Sequence, residues 1–245
     1  MDSSPPTPFV IAHRGGLWPG CAENTLPAFR AAVAAGITWI ETDVHASRDG
    51  VLYAFHDERL DRLAGIDAAI GDLSARDLDR VDLADGGLIP RLEDALEDLP
   101  DTSFNIDVKA DRSVAAMVRT VRRSGAADRI RLASFSSARL KRLRRALPDV
   151  PTSAGTAETA RVVALGCARG LHPALDCFQV PRAQAGIPVV TGRFVRAVHA
   201  AGLQVHEWTV NDRADMERSL AAGVDALITD HPLLAAEVVA EFTAR

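Results

Sequence analysis

Short apolar runs alternate with helical patterns along the whole chain. The runs that read as strands are 9–12 (Phe-Val-Ile-Ala), 38–42 (Thr-Trp-Ile-Glu-Thr), 104–108 (Phe-Asn-Ile-Asp-Val), 130–133, about 151–154, 176–180, 203–208 and 225–228. Helical patterns occupy 25–35, 92–98, 112–123, 136–146, 157–165, 191–201, 212–221 and 232–243. Asn24 is placed as the N-cap of the first helix and Gly36 as its C′ residue. Helix–Gly–strand junctions recur, as in Ala200-Ala201-Gly202-Leu203 and Ala221-Ala222-Gly223-Val224, and βα units produce such junctions. Eight strands and eight helices in 245 residues predict an α/β fold, a (β/α)8 TIM barrel. A doubly wound open sheet gives the same alternation and is the structural alternative.

One stretch breaks the rhythm. Residues 44–90 separate the second strand from its helix, far beyond the roughly 2–6 residues of an ordinary βα loop. They contain Leu52-Tyr53-Ala54-Phe55-His56-Asp57 and the charged run 73–80. The reading is one domain over 1–245 with a small subdomain inserted after strand 2. Long βα loops stand at the C-terminal face of a barrel, where active sites are built.

Composition narrows the class. Hydrophobic residues make up 47% and charged residues 25% of the chain, enough for a sizeable core. A formal net charge of -5 gives no global basic field to recruit nucleic acid, so any phosphate site must be local. The basic run Arg139 to Arg145 has its leucines three apart and reads as the solvated face of a helix. Cys21, Cys167 and Cys177 are odd in number and far apart. They are expected as buried free thiols in a reducing compartment. The start, Met1-Asp2-Ser3-Ser4-Pro5-Pro6, lacks a basic n-region, and no apolar run reaches about 18 residues. These features predict a cytoplasmic protein without stable membrane insertion; a homo-oligomer stays open.

Chemistry gathers at the predicted strand tips. The first strand ends in His13-Arg14-Gly15-Gly16. Arginine grips phosphate or carboxylate with a planar fork, and histidine moves protons near neutral pH. Glu41 and Asp43 are two apart on the second strand and therefore point the same way. Two crowded carboxylates call for a cation or a proton between them. A hard divalent ion, Mg2+ or Ca2+, suits oxygen ligands; a solvated carboxylate pair accounts for the same pattern. Asp107 and Lys109 repeat the spacing on the third strand. Asp107 can complete a metal set, and Lys109 can neutralise a phosphate; a simple ion pair is the alternative. His56 is the second histidine near a predicted strand tip. Two imidazoles flanking a phosphodiester supply a general base and a general acid. Trp208 shares the inner face of the seventh strand with His206, where it either walls a pocket or fills the barrel core. His45, His172, His199 and His231 have no such company and read as structural.

In this order the motifs resemble those of the glycerophosphodiester phosphodiesterase family. They are His13-Arg14-Gly15, Glu23-Asn24-Thr25, Glu41-x-Asp43, His56-Asp57, Asp107-x-Lys109 and Trp208-Thr209-Val210-Asn211. Supporting stretches are Leu60-Asp61-Arg62, Ile89 to Asp94, Ser134-Phe135, Gly223-Val224-Asp225 and Thr229-Asp230-His231-Pro232. The resemblance spans about residues 9–235 and implies a (β/α)8 barrel with an insertion after strand 2. It implies that Glu41, Asp43 and Asp107 hold one divalent cation. His13 and His56 then do the acid–base work, with His13 favoured as base. Arg14 and Lys109 hold the phosphate, Trp208 contacts substrate and Glu23 orders the first loop. The implied substrates are small deacylated phospholipids, cleaved to sn-glycerol 3-phosphate and an alcohol. Lysophospholipids or glycerophosphoinositol on the same fold are alternatives, the former needing an apolar acyl channel; a non-catalytic barrel that binds phosphorylated metabolites is another. Three departures stand out. The third acid is Asp107 where the family usually has glutamate, a loss of reach of about 1.5 Å. Glu58 to Ala64 replaces the family's usual Pro-Thr stretch. Glu207 and His231 stand where an apolar residue and arginine are frequent.

Overall fold

The computed structural model describes residues 7–245; the reading made on Met1 to Pro6 lies outside them. The apolar runs form parallel strands β1 (Phe9–Ala12), β2 (Trp39–Ala46), β3 (Ser103–Val108), β4 (Ile130–Ala133), β5 (Thr152–Ser153), β6 (Leu175–Val180), β7 (Gln204–Glu207) and β8 (Ala226–Thr229). Each pairs with its sequence neighbours, and β1 pairs with both β8 and β2. The sheet is therefore a closed barrel, which excludes the doubly wound alternative. Its outer helices are α1 (Leu26–Ala34), α2 (Leu92–Asp98), α3 (Ser113–Ser124), α4 (Ser137–Ala146), α5 (Thr156–Leu165), α6 (Gly192–His199), α7 (Arg213–Ala221) and α8 (Pro232–Thr243). Two apolar clusters lie between sheet and helices, one centred on Phe29, Phe104 and Met117, the other on Phe178, Phe194 and Met216. Among the described residues no helix is long and apolar enough to cross a membrane.

β2 runs four residues past the predicted end at Thr42. Val44, His45 and Ala46 pair with a short antiparallel strand, Leu52–Ala54. The excursion that follows has its own apolar cluster, including Tyr53, Phe55, Leu60, Ile70 and Leu78. The Tyr53 hydroxyl donates to Asp79 at 2.6 Å and also lies 2.9 Å from the Ala75 carbonyl. An antiparallel hairpin at 183–184 and 187–188, also absent from the sequence reading, follows β6.

The barrel interior settles His206. It is fully buried, edge-on to Phe9 with ring centres 5.4 Å apart, and its Nε2 lies 3.0 Å from Gln204. Burial drives its imidazole well below the ordinary range, so it is a neutral core residue. Cys177 is buried, whereas Cys21 and Cys167 are only partly so; all three are free.

The basic run on α4 is only partly solvated. Arg144 is 7% exposed, and its guanidinium donates to both carboxylate oxygens of Glu158 at 2.7 and 3.0 Å. It also donates to the Thr152 hydroxyl and the Ser153 carbonyl of β5. β5 has only two residues, and this arginine ties it to α4 and α5. Burial works to raise the Glu158 carboxyl, but Arg144 and the Gly155 N–H hold it below its ordinary 4.5. A carboxyl lowered on folding stabilises above its unfolded pKa and loses that contribution as pH falls through the folded value. Arg144→Met is expected to cost about 2–4 kcal/mol near neutral pH, since it strands a partly buried carboxylate. Chemical denaturation should show the deficit shrinking as pH falls through the folded Glu158 value, which Arg144 holds below the ordinary one.

Candidate functional site

The C-terminal ends of β1, β2 and β3, with the start of the insertion, bring His13, Arg14, Glu41, Asp43, His56, Asp107 and Lys109 to one wall of a cavity of about 630 Å³. Register explains the convergence: Asp43 pairs with Asp107 across β2 and β3. Residues at even spacing on a strand face one side, and Glu41, Asp43, Asn105 and Asp107 all line the cavity.

The two histidines share one arrangement. The Nδ1–H of His13 donates to Asp230 at 2.7 Å, and that of His56 donates to Asp57 at 2.6 Å. A carboxylate on Nδ1 fixes the tautomer and leaves Nε2 for proton transfer. Burial alone lowers the His13 imidazole, but its bond to Asp230 and the charge of Glu41 outweigh that and raise it. Asp230 is steered in turn. Asn211 donates Nδ2 to it at 2.7 Å and accepts its backbone N–H at 3.0 Å. Behind His56, Asp57 accepts from Arg62 at 2.6 Å, Arg62 donates to Glu23 at 2.6 Å, and Arg14 donates to Glu23 at 2.9 Å. Glu23 thus couples the first loop to the insertion.

Arg14 sits at φ 51, the left-handed region. Its backbone N–H donates to Glu41 at 3.0 Å, and its Nε lies 3.3 Å from Asp43. Two glycines of this loop make close packing contacts. A Cβ on Gly15 would lie 2.7 Å from Phe29, and one on Gly16 2.8 Å from Pro232; both have positive φ. Asn24 is not the cap of α1; Thr25 is, accepting the Ala28 N–H. Asn24 instead holds Asp43, donating to its carboxylate at 3.1 Å and accepting from Thr42 at 2.7 Å.

Lys109 Nζ lies 2.7 Å from Asp43 and 2.8 Å from Asp107. Burial opposes its charge, but the two carboxylates raise it above the ordinary lysine value. Three acids still exceed what this lysine satisfies. Burial, then the charge of Asp43, pushes Glu41 up to about 7. Burial also raises Asp107, and its buried Oδ1 has no hydrogen-bond partner. Among the described residues no three His, Cys, Asp or Glu side chains form a metal-binding group; the ammonium of Lys109 lies between two of the acids. Trp208 lines the cavity rim, edge-on to Phe135 with ring centres 5.7 Å apart. His45 Nε2–H donates to the His56 carbonyl at 3.1 Å, consistent with a structural role.

A closed (β/α)8 barrel with paired histidines, phosphate-suited cations and clustered acids at its C-terminal mouth defines a phosphodiester-processing class. The sequence model of the Glycerophosphoryl diester phosphodiesterase family matches residues 13–234. The chain belongs to that family and is by class a phosphoric diester hydrolase. It is 39% identical over 237 residues to a Mycobacterium tuberculosis protein named "Probable glycerophosphodiester phosphodiesterase 2", covering 94% of this chain and 90% of that one. An Oleispira antarctica phosphodiesterase solved with its product sn-glycerol-3-phosphate superposes with a TM-score of 0.79 at 26% identity, over 96% of this chain and 97% of that one. A glycerophosphodiester phosphodiesterase from Agrobacterium tumefaciens also gives 0.79, at 25% identity over 95% and 99%.

The sequence reading gave no role at the site to Asp57, Asp230, Asn211, Asn24 or Arg62. Asp230 and Asn211 were visible only as parts of motifs. Asp230→Asn is expected to lower kcat by about tenfold to a hundredfold, because His13 loses the partner that fixes its ring. The C–H resonances of His13 should then titrate at lower pH than in the unaltered protein, since the carboxylate that raises it is gone.

Proposed function

We propose that this protein hydrolyses glycerophosphodiesters, releasing sn-glycerol 3-phosphate and an alcohol, with a divalent cation, Mg2+ or Ca2+, at Glu41, Asp43 and Asp107. The observation that carries the reading is the pair of carboxylate-oriented imidazoles beside Arg14 and Lys109 in one cavity. Three acids with one unpartnered buried oxygen and two carboxyls raised in pKa fit a hard cation. When bound, that cation supplies charge neutralisation and polarisation of a phosphoryl oxygen. The side chains supply the rest. Arg14 and Lys109 face the phosphate oxygens and stabilise charge that builds there. His13 Nε2 takes the proton of the attacking water or of the glycerol 2-hydroxyl; in the second case the cyclic phosphodiester that forms is opened by water in a further step to give sn-glycerol 3-phosphate. His56 Nε2 gives a proton to the leaving alcohol oxygen. Asp230 and Asp57 hold the two rings for this exchange. Trp208 walls the pocket beside the substrate.

The test is direct. Incubation with glycerophosphocholine or glycerophosphoethanolamine and either cation is expected to release sn-glycerol 3-phosphate in step with free alcohol. Tight binding of either compound without product would instead favour a binding barrel.

A further inference from the structure

Charge is unevenly spread along this acidic chain. The stretch 159–206 holds five arginines but only one of the 33 Asp and Glu residues, Asp176, and Arg131 holds that one at 2.7 Å. All five arginines are exposed. Among the described residues none of Arg161, Arg169, Arg193 and Arg196 is paired with a carboxylate, and Arg182 has only Glu207, at 3.8 Å. The fold draws these side chains together. Arg161 on α5 donates to the Arg169 carbonyl just past the helix. Arg193, in the first turn of α6, lies against Gly166 at the end of α5, where a Cβ would collide with its guanidinium. Arg196 follows one turn on. Arg182 stands at the base of the hairpin after β6, where its carbonyl accepts the Val189 N–H at 2.9 Å. Two large aliphatic side chains project from this cationic face: Leu165 is 63% and Ile187 60% exposed. Ile187, and Ala164 beside Leu165, also line the candidate active-site cavity, so the face adjoins its mouth.

We infer that this face docks the protein reversibly on the surface of an anionic lipid bilayer. Arginines without a partner in the protein are free to meet lipid phosphates, which their planar forks suit. Each basic residue near such a surface strengthens binding about fivefold. Leu165 and Ile187 are placed to enter the headgroup region, where apolar side chains gain by leaving water. The same tips favour lipid over nucleic acid. Phe178 and Phe194 are the only Phe, Tyr or Trp residues in 159–206, and both are buried, which leaves no platform for stacking bases. Contact of this kind is peripheral and needs no spanning helix. It brings the cavity mouth next to the surface at which acyl-ester hydrolysis of phospholipids releases glycerophosphodiesters. The docking is independent of the phosphodiesterase reading, because none of the acids, histidines or cations of the catalytic wall takes part in it.

Sedimentation of the full chain with lipid vesicles reads the docking without reference to turnover. The vesicles are phosphatidylcholine alone, or phosphatidylcholine with about one third phosphatidylglycerol. At about 0.05 M salt the partition coefficient is expected to be about tenfold or more higher on the anionic vesicles, and to fall by a similar factor at about 0.5 M. Arg193→Glu with Arg196→Glu should lower it about tenfold or more. Lys141→Glu with Arg145→Glu on α4 makes the same change in net charge at exposed positions and should lower it far less. Leu165→Ser with Ile187→Ser should weaken binding about fivefold or more while leaving its salt dependence in place. Melting temperatures close to that of the unaltered protein show that each pair of changes leaves the fold intact. Equal partition onto the two kinds of vesicle overturns the inference. So do equal losses in the two charge-reversed variants, or unaltered binding in the serine variant. Tighter capture by single-stranded RNA or by polyglutamate than by anionic vesicles, at matched negative charge, also overturns it and gives the face to a nucleic acid or to an acidic protein.

Discussion

Replacing His13 or His56 by alanine is expected to lower kcat by about 10²–10⁴-fold, with KM changed far less. The expectation follows from the bonding of the two rings. Each uses Nδ1 to meet a carboxylate, Asp230 for His13 and Asp57 for His56, and each lines the same cavity. A ring needed only for packing would lie in the apolar core, as His206 does. His13 and His56 instead keep side-chain exposures of 19% and 34%. Their loss should therefore leave the melting temperature close to that of the unaltered protein while turnover falls. Because both transfer protons in one reaction, the double variant is expected to be only slightly slower than the slower single variant. Full activity in either single variant removes that histidine from proton transfer. Comparable loss with a nitrophenyl leaving group, which departs without a proton, would argue against His56 as the acid.

The parts of this molecule that could be read in the sequence are those governed by short periods. The alternation of apolar runs and helical stretches carries the barrel, and period two turns Glu41 with Asp43, and Asp107 with Lys109, to the inner face. What escaped depends on distance along the chain. His13 and Asp230 are 217 residues apart and meet only because β8 closes against β1. Arg62 reaches Glu23 across 39 residues, from an insertion whose path no periodicity describes. The end of β2 was set too early because its last residues pair with Leu52–Ala54, a strand too short to announce itself. Asn24 misled for another reason. Asparagine is a good cap by propensity, but here its side chain is spent on Asp43 and Thr42, and Thr25 caps the helix. Arg144 was assigned to solvent by the basic run around it, yet a two-residue β5 needs a long donor to hold it in place.

Removing divalent cations with EDTA is expected to depress turnover by about 10³-fold or more, restored by adding Mg2+ or Ca2+. The balance of charge at the mouth argues for this. Glu41, Asp43 and Asp107 are all buried, and the facing Arg14 and Lys109 do not neutralise them fully: Glu41 stays raised to about 7 and Asp107 stays raised as well. Asp107 is the residue to probe, because aspartate stands there one methylene short of the family's usual glutamate. One of its oxygens is 2.8 Å from Lys109, and the other has no partner. Those two oxygens support two roles with different outcomes. If the free oxygen ligates the cation, Asp107→Asn should weaken cation binding by about tenfold or more, through the lost ligand charge. Calorimetric titration of the apoprotein reads this without reference to turnover. It should also reduce the rise in melting temperature that the cation produces. If Asp107 serves only as counter-ion to Lys109, cation affinity stays put in Asp107→Asn while the ammonium titrates closer to its ordinary value. Asp107→Glu separates the cases further. Restoring about 1.5 Å of reach should strengthen cation binding in the first case, and in the second only disturb the lysine.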